Sequence, residues 1–341
     1  MLSAPIGIRH LFHWTRRRLF IHYPKLLGGW LLSRSHPEVM LIELTNDCNQ
    51  SCPFCSRENM TRGVGYMPFE VFTSLIDQAA AYPYMLLRVV GLGEAAMHPR
   101  FRDCIAYASA HNIPMEITSN GHIFEVMSPE EIMDSSIIML SISIDGFGDG
   151  TYEKMRPGGN YKTLRRNIET FYRAKRATRR KRPFFTLRNV LLGRTAEKRA
   201  RQAARFGEEW SGLCDRMSFN DYIPQKLTTR NEGKMRVCDD ILYNLHVEWD
   251  GRTPMCPYQH MISAPEETGN IGEVPLSLVW NDPRRKEIRE AHIRGNLAPA
   301  SFCEKCPKTR QAAVYRNTRD HVRHGSPMFQ RMERLLWRIV S

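Results

Sequence analysis

The run Val39-Met40-Leu41-Ile42-Glu43-Leu44, then Thr45-Asn46-Asp47, then Cys48-Asn49-Gln50-Ser51-Cys52-Pro53-Phe54-Cys55 joins an apolar, β-branched stretch to three closely spaced thiols. The apolar stretch has the length and composition of a buried strand. The C-x3-C-x2-C spacing lets three thiolates converge on one metal centre from a single loop. A cubane iron–sulfur cluster has four irons, so three cysteines leave one iron without a protein ligand and able to chelate a cofactor or substrate. The competing reading, a zinc knuckle, wants a fourth protein ligand nearby.

Outward from this loop the chain repeats a strand–loop–helix rhythm. Apolar runs recur at Leu86–Gly91, Met115–Ser119, Ile138–Ile144, Phe185–Leu191 and Met217–Asn220. Helical stretches separate them at Pro68–Ala81, Pro99–His111, Tyr161–Ala177 and Ala196–Glu209. Strands alternating with helices predict a parallel sheet with right-handed crossovers. With six such units and no dinucleotide glycine fingerprint, the expected class is α/β: a partial (β/α)6 TIM-type barrel rather than a doubly wound sheet.

The cysteine loop resembles the signature of the radical S-adenosylmethionine (SAM) superfamily. In that family the unligated iron binds the amino and carboxylate groups of SAM, and Phe54 stands where the family carries an aromatic residue near the adenine. Gly91-Leu92-Gly93-Glu94 resembles the family's Gly-Gly-Glu motif, which meets the SAM ammonium group, with Ala95 here where proline is common. Thr118-Ser119-Asn120-Gly121 and Ser143-Ile144-Asp145-Gly146 resemble strand ends that approach the ribose and the methionine carboxylate. Arg156 resembles an arginine that pairs with that carboxylate. Asn-Gly and Asp-Gly are also ordinary turns. What links these segments is position: each follows a predicted strand, where barrels of this type build their sites.

Past residue 225 the rhythm stops, and Gly, Pro and Asn become frequent. Cys238, then Gly251-Arg252-Thr253-Pro254-Met255-Cys256, then Cys303-Glu304-Lys305-Cys306 form a second set. It resembles the C-terminal extension called SPASM, or its shorter relative, the twitch domain. The resemblance implies one auxiliary [4Fe-4S] cluster beside the SAM-binding one, with Cys238, Cys256, Cys303 and Cys306 as ligands and no open iron. A four-cysteine structural zinc site is the alternative. Of the two remaining cysteines, Cys104 falls in a helix and reads as a small buried hydrophobe. Cys214, just before the last barrel strand, is a candidate hydrogen donor to a substrate radical, or another inert buried thiol.

The implied domains are a basic, aromatic extension (1–37), the barrel (38–224), the auxiliary-cluster domain (225–315) and a helical tail (316–341). Nine cysteines, odd in number and without a secretory cleavage site, indicate a reducing compartment, the cytoplasm, rather than a disulfide framework. No apolar stretch of about 18 residues suggests a spanning helix. The first 37 residues suit peripheral membrane contact or packing on the protein's own core. A net charge of +13, from 49 Lys and Arg against 36 Asp and Glu, favours anionic partners or simply keeps the surface soluble. No RNA-binding aromatic signature accompanies it, so nucleic acid is not an expected partner.

The implied activity is reductive cleavage of SAM to a 5′-deoxyadenosyl radical, with hydrogen abstraction from a substrate. An external one-electron reductant such as flavodoxin or ferredoxin is required. One auxiliary cluster suits dehydrogenation or epimerisation. Only 38 residues precede the first strand, fewer than a leader-binding domain of about 80 residues needs, so a small polar substrate is expected ahead of a ribosomal peptide. Tyr222, His246 and His260 are candidate substrate contacts, as are Pro224–Gly233 and Ser263–Gly272. A non-catalytic zinc protein associated with membrane or nucleic acid is the alternative of another class; it leaves the ordered strand-end motifs unexplained.

Overall fold

The computed structural model describes residues 35–82, 85–193, 195–222, 238–257, 267–297, 301–304 and 306. Most of the N-terminal extension, the C-terminal tail, Pro224–Gly233, His260 and the start of Ser263–Gly272 lie outside these residues.

Six strands alternate with helices as the hydrophobic pattern requires. In chain order they are β1 (Val39–Ile42), α1 (Phe69–Ala80), β2 (Leu86–Val89), α2 (Phe101–Ala110), β3 (Met115–Ser119), α3 (Ile123–Val126), α4 (Pro129–Asp134) and β4 (Ile137–Ser143). There follow α5 (Thr151–Met155), α6 (Tyr161–Ala177), β5 (Phe184–Leu191), α7 (Ala196–Trp210) and β6 (Arg216–Asp221). β3 and α6 match their sequence-read bounds, and the others shift by a residue or two. Helix starts are marked chemically. Ser128 and Glu131 form a reciprocal capping box on α4, and the Asn160 side chain accepts from Thr163 N at 2.8 Å to open α6.

The C-terminal region adds α8 (Asp239–Tyr243), β7 (Asn244–Val247), β8 (Arg252–Pro254), β9 (Glu267–Asn270), α9 (Leu276–Trp280), α10 (Pro283–Arg294) and α11 (Ser301–Glu304). β8 and β9 form a small antiparallel sheet. β7 departs from expectation by joining the main sheet, in the order β6-β5-β4-β3-β2-β1-β7, every pairing parallel. The reason is β1. Val39, Met40 and Ile42 are buried, so an unpaired β1 edge would leave backbone donors and acceptors without partners in an apolar setting. Asn244–Val247 covers that edge with Leu245 and Val247 buried. No helix-per-strand rhythm announces it, because the chain crosses from one edge of the sheet to the other between β6 and β7.

Behind the sheet, Phe72, Phe101, Phe171, Phe185, Phe206 and Trp210 form one continuous core with the strand residues. Each such side chain contributes about 1.5–3 kcal/mol through burial, enough collectively to hold the strand ends in fixed register. Among the described residues, no helix is long and apolar enough to cross a membrane.

Candidate functional site

The cysteine loop leaves the C-terminal end of β1 and is braced before it reaches the first thiol. Thr45 Oγ1 donates to Gly65 O (2.7 Å), Asn46 Nδ2 donates to Gly63 O (2.9 Å), and Arg57 Nε donates to Asn46 O (2.8 Å). Cys48 N donates to Asp47 Oδ1 (2.9 Å), and Cys55 N closes a turn on Cys52 O (3.0 Å). Ser51 N donates to Pro157 O (3.0 Å), tying the loop to the chain beyond α5. Cys48, Cys52 and Cys55 are all partly exposed, whereas Cys104 is sealed in the core beneath α2. Burial pushes Cys52 up to about 11, against the opposing pull of the Arg156 cation, and burial also raises Cys48. Thiols raised in this way, Cys48 and Cys52, become thiolates at neutral pH only beside a metal. The donor set fits an iron–sulfur cluster.

The motif after β2 is shaped by close backbone approach. Glu94 N donates to Asp47 O (2.7 Å). A Cβ on Gly93 would lie 2.3 Å from Asp47 O and 2.4 Å from Thr45 O, so only glycine lets this turn reach the cysteine loop. The Glu94 carboxylate is buried, and burial raises its pKa. It accepts from Ser119 Oγ (2.8 Å), Asn120 N (2.6 Å) and Ala96 N (3.3 Å). With three of about four acceptor positions occupied, one remains for a cation. Asn120 extends the chain of contacts: its Nδ2 donates to Asn49 Oδ1 (2.7 Å) and lies 3.9 Å from Cys48 Sγ.

A second network closes the loop from the β4 side. Asp145, almost fully buried, accepts from Arg156 Nε (3.0 Å) and Nη2 through Oδ2, and from Val190 N (2.6 Å) through Oδ1. Arg156 Nη1 donates to Gln50 Oε1 (3.1 Å), and its guanidinium carbon lies 6.0 Å from the Phe54 ring centroid. Burial lowers the Arg156 pKa, but Asp145 and Cys52 outweigh it, so the cation is held firmly. Arg156 is therefore committed first to Asp145 and to the cysteine loop, with two guanidinium hydrogens left for a ligand. Ser143 sits half-buried at the end of β4, its hydroxyl unbonded among the described residues.

Phe54, Gly91, Gly93, Glu94, Ser119, Asn120, Ser143, Asp145 and Arg156 thus gather at the C-terminal edge of the sheet around Cys48, Cys52 and Cys55. Cys214 does not. It precedes the first residue of β6, at the opposite edge, packed on the core with its thiol pushed up to about 12 by burial. The next residue, Asp215, donates its N–H to Phe185 O near the start of β5, away from the strand ends that carry the cysteine loop. Of the candidate substrate contacts, Tyr222 is exposed just past β6, and His246 lies within β7.

Sequence reading missed a third group. Glu43 and Glu248 follow the paired residues Ile42 and Val247, and Arg62 reaches both, at 2.6 Å and 3.4 Å. Leu92 N donates to Glu43 Oε2 (2.9 Å). Burial, with Glu43 and Asp250 nearby, raises Glu248 to about 7 despite Arg62 and Arg252. The available signal was a carboxylate directly ending each of two apolar runs.

The second cysteine set is buried. Cys238 and Cys303 pack with Ile241, Met255, Ile288 and Leu297, and Cys306 N turns back onto Cys303 O (3.2 Å), as Cys55 does onto Cys52. Burial pushes Cys303 up to about 12. Cys238 N donates to His292 Nδ1 (3.4 Å). Cys256 and Cys306 are buried as well. Four thiols in an apolar setting fit a cluster that brings several irons.

Residues 42–201 match the radical SAM superfamily, and residues 238–307 match an iron–sulfur cluster-binding domain, SPASM. Among curated proteins, a tungsten-containing aldehyde ferredoxin oxidoreductase cofactor-modifying protein of Pyrococcus furiosus is 24% identical over 107 residues (31% of this chain, 30% of that protein). The mycofactocin maturase MftC of Mycobacterium tuberculosis is 23% identical over 184 residues (54% of this chain, 46% of that one). The chain thus spans about a third to a half of the length of these relatives. Among solved structures, Streptococcus suis SuiB bound to precursor peptide SuiA superposes with a TM-score of 0.56 at 14% identity, covering 85% of this chain and 73% of SuiB. With its three-cysteine loop, its ordered strand ends and its second cysteine set, the chain belongs to the radical SAM superfamily and carries a SPASM auxiliary-cluster domain.

Proposed function

We propose that this radical SAM enzyme acts on a peptide or protein, removing a hydrogen atom from it. The observation that carries this reading is the open sheet: β6 and β7 stand at its two edges and do not pair with each other among the described strands. A site at the strand ends of an open sheet can be approached from the side by a segment of chain. The likeness to SuiB, whose structure is described with a precursor peptide, supports the same substrate class. The small polar substrate expected from the short N-terminal segment gives way to it.

Cys48, Cys52 and Cys55 would hold the SAM-binding [4Fe-4S] cluster, and Cys238, Cys256, Cys303 and Cys306 the auxiliary one. With SAM bound and an electron delivered by a flavodoxin- or ferredoxin-like donor, the first centre would supply a 5′-deoxyadenosyl radical. The chain's own part is placement. Glu94 offers its remaining acceptor position to the SAM ammonium group while holding Ser119 and Asn120 against the cysteine loop. Phe54 supplies an apolar face for the adenine. Arg156 keeps a positive charge beside Cys52, offsetting thiolate charge, and presents its two remaining hydrogens to a carboxylate. Ser143 offers a free hydroxyl at the same edge.

Iron and sulfide per chain after anaerobic reconstitution, repeated with Cys48, Cys52 and Cys55 all changed to Ala, should give about eight irons falling to about four. For the substrate, 5′-deoxyadenosine is measured with SAM, dithionite and a cellular peptide fraction. Stimulation abolished by prior protease digestion is the expected result. Stimulation that survives digestion would overturn the peptide reading and return the small-molecule one.

A further inference from the structure

One face of α10 buries charge without an ion-paired carboxylate among the described residues. Arg285, Arg289 and His292 recur at helical spacing and are 4%, 1% and 0% exposed. Arg285 Nη2 donates to Thr253 O (3.0 Å) and Pro254 O (2.9 Å), and its Nε donates to Thr268 Oγ1. Arg289 Nη2 donates to Trp280 O (3.0 Å), its guanidinium stacks 4.2 Å from the Trp280 ring, and its Nε has no partner. No carboxylate forms an ion pair with either arginine among the described residues. Asp282 acts on both from a distance, but it caps α10 by accepting from the amides of Arg284 and Arg285. Burial, then Arg289, pushes Arg285 down to about 9, and burial pushes Arg289 down to about 10, so both stay cations at neutral pH.

A buried, unpaired cation is destabilising by several kcal/mol unless a negative charge lies close by. Besides Asp282, the anionic chemistry this face meets among the described residues is the second cysteine set. Arg285 clamps the two carbonyls just ahead of Cys256 and interacts electrostatically with that thiol. One turn past Arg289, His292 accepts from the amide of Cys238, and Ile288 packs with Cys238 and Cys303. A cubane core of charge two-plus held by four thiolates is a dianion, and adding one electron makes it a trianion with no bond made or broken. Buried cations favour the trianion over the dianion, and little salt reaches them to screen the effect.

We propose that the α10 cations, Arg285 foremost, are the built-in counter-charge of the auxiliary cluster and raise its reduction potential. The inference rests on the auxiliary-cluster reading above. The test uses the full chain with Cys48, Cys52 and Cys55 changed to Ala and reconstituted anaerobically, so that one cluster remains, followed by EPR during a potentiometric titration. Arg285→Gln should lower the reduced-to-oxidised ratio at fixed potential at least about tenfold, a midpoint lower by about 59 mV for one electron. Arg285→Lys, which keeps the charge and loses the guanidinium fork, should stay near the parent. An unchanged midpoint in Arg285→Gln, with about four irons retained, would overturn the proposal and leave the cluster reading standing. Loss of the cluster in both variants would assign Arg285 to holding Thr253 and Pro254 and would also overturn it. Loss in Arg285→Gln alone would support it. If the parent itself binds no cubane, the auxiliary-cluster reading fails first.

Discussion

Replacing Arg156 with Met tests whether the Asp145–Arg156 pair is the hinge-pin of the first centre. Arg156 makes two hydrogen bonds to Asp145 Oδ2 and one to Gln50, and both members of the ion pair are buried. Without the guanidinium, Asp145 keeps only the Val190 amide on Oδ1, while Oδ2 is left charged and unbonded. Stranding one member of a buried pair costs about 3–5 kcal/mol. At roughly 2–4 °C per kcal/mol for a domain of this size, the melting midpoint should fall by about 6–20 °C. Changing Asp145 to Asn as well removes the stranded charge and leaves a neutral unsatisfied group, costing about 1–3 kcal/mol, so the double variant should recover about 2 kcal/mol. Anaerobic circular-dichroism melts of the reconstituted proteins at one scan rate provide the comparison. A single variant within about 1 kcal/mol of wild type, or a double variant no better than the single, would refute the reasoning.

Gly93→Ala drives a Cβ into Asp47 O and Thr45 O, and should cost about 1–3 kcal/mol and halve iron incorporation at the first centre, read as iron per chain. Cys214→Ala should leave 5′-deoxyadenosine formation within about twofold of wild type, since the thiol lies at the far edge of the sheet. Glu248 has a folded-state pKa of about 7 against an ordinary 4.5, so the folded chain binds the extra proton between those values. Its contribution to stability is therefore present below about pH 4.5 and declines as pH rises through about 7; Glu248→Gln should flatten the fall in melting temperature across that window.

The barrel was legible because its signals are local. Most strands are short runs rich in apolar residues and the long helices keep an apolar face, so Met115–Ser119 and Tyr161–Ala177 could be read to the residue. The thiols were legible because cysteine spacing reports on a single loop. What stayed hidden depends on contacts far apart in sequence. Nothing in Asn244–Val247 says that it pairs with Val39–Ile42, some two hundred residues earlier. Arg156 was read as a ligand for SAM, yet its first partners, Asp145 and Gln50, are visible only once β4 and the cysteine loop are brought together. Cys214 was open to two readings for a directional reason: proximity to a strand in sequence does not say which end of the sheet it faces.

The pairing of β1 with β7 also bears on how two cysteine centres can work together. Ile42 and Val247 are register partners, and the chains leaving them carry Cys48 on one side and the hairpin to Cys256 on the other. Arg62 grips the carboxylate that follows each strand, and the Trp249 ring lies against Gly65, where any side chain would collide with it. A hydrogen-bonded ladder and a partly buried ion cluster therefore tie the chain that leads to Cys48 to the chain that leads to Cys256. A strand that sequence rhythm assigns to the auxiliary domain thus serves as the bracket fixing that domain to the barrel.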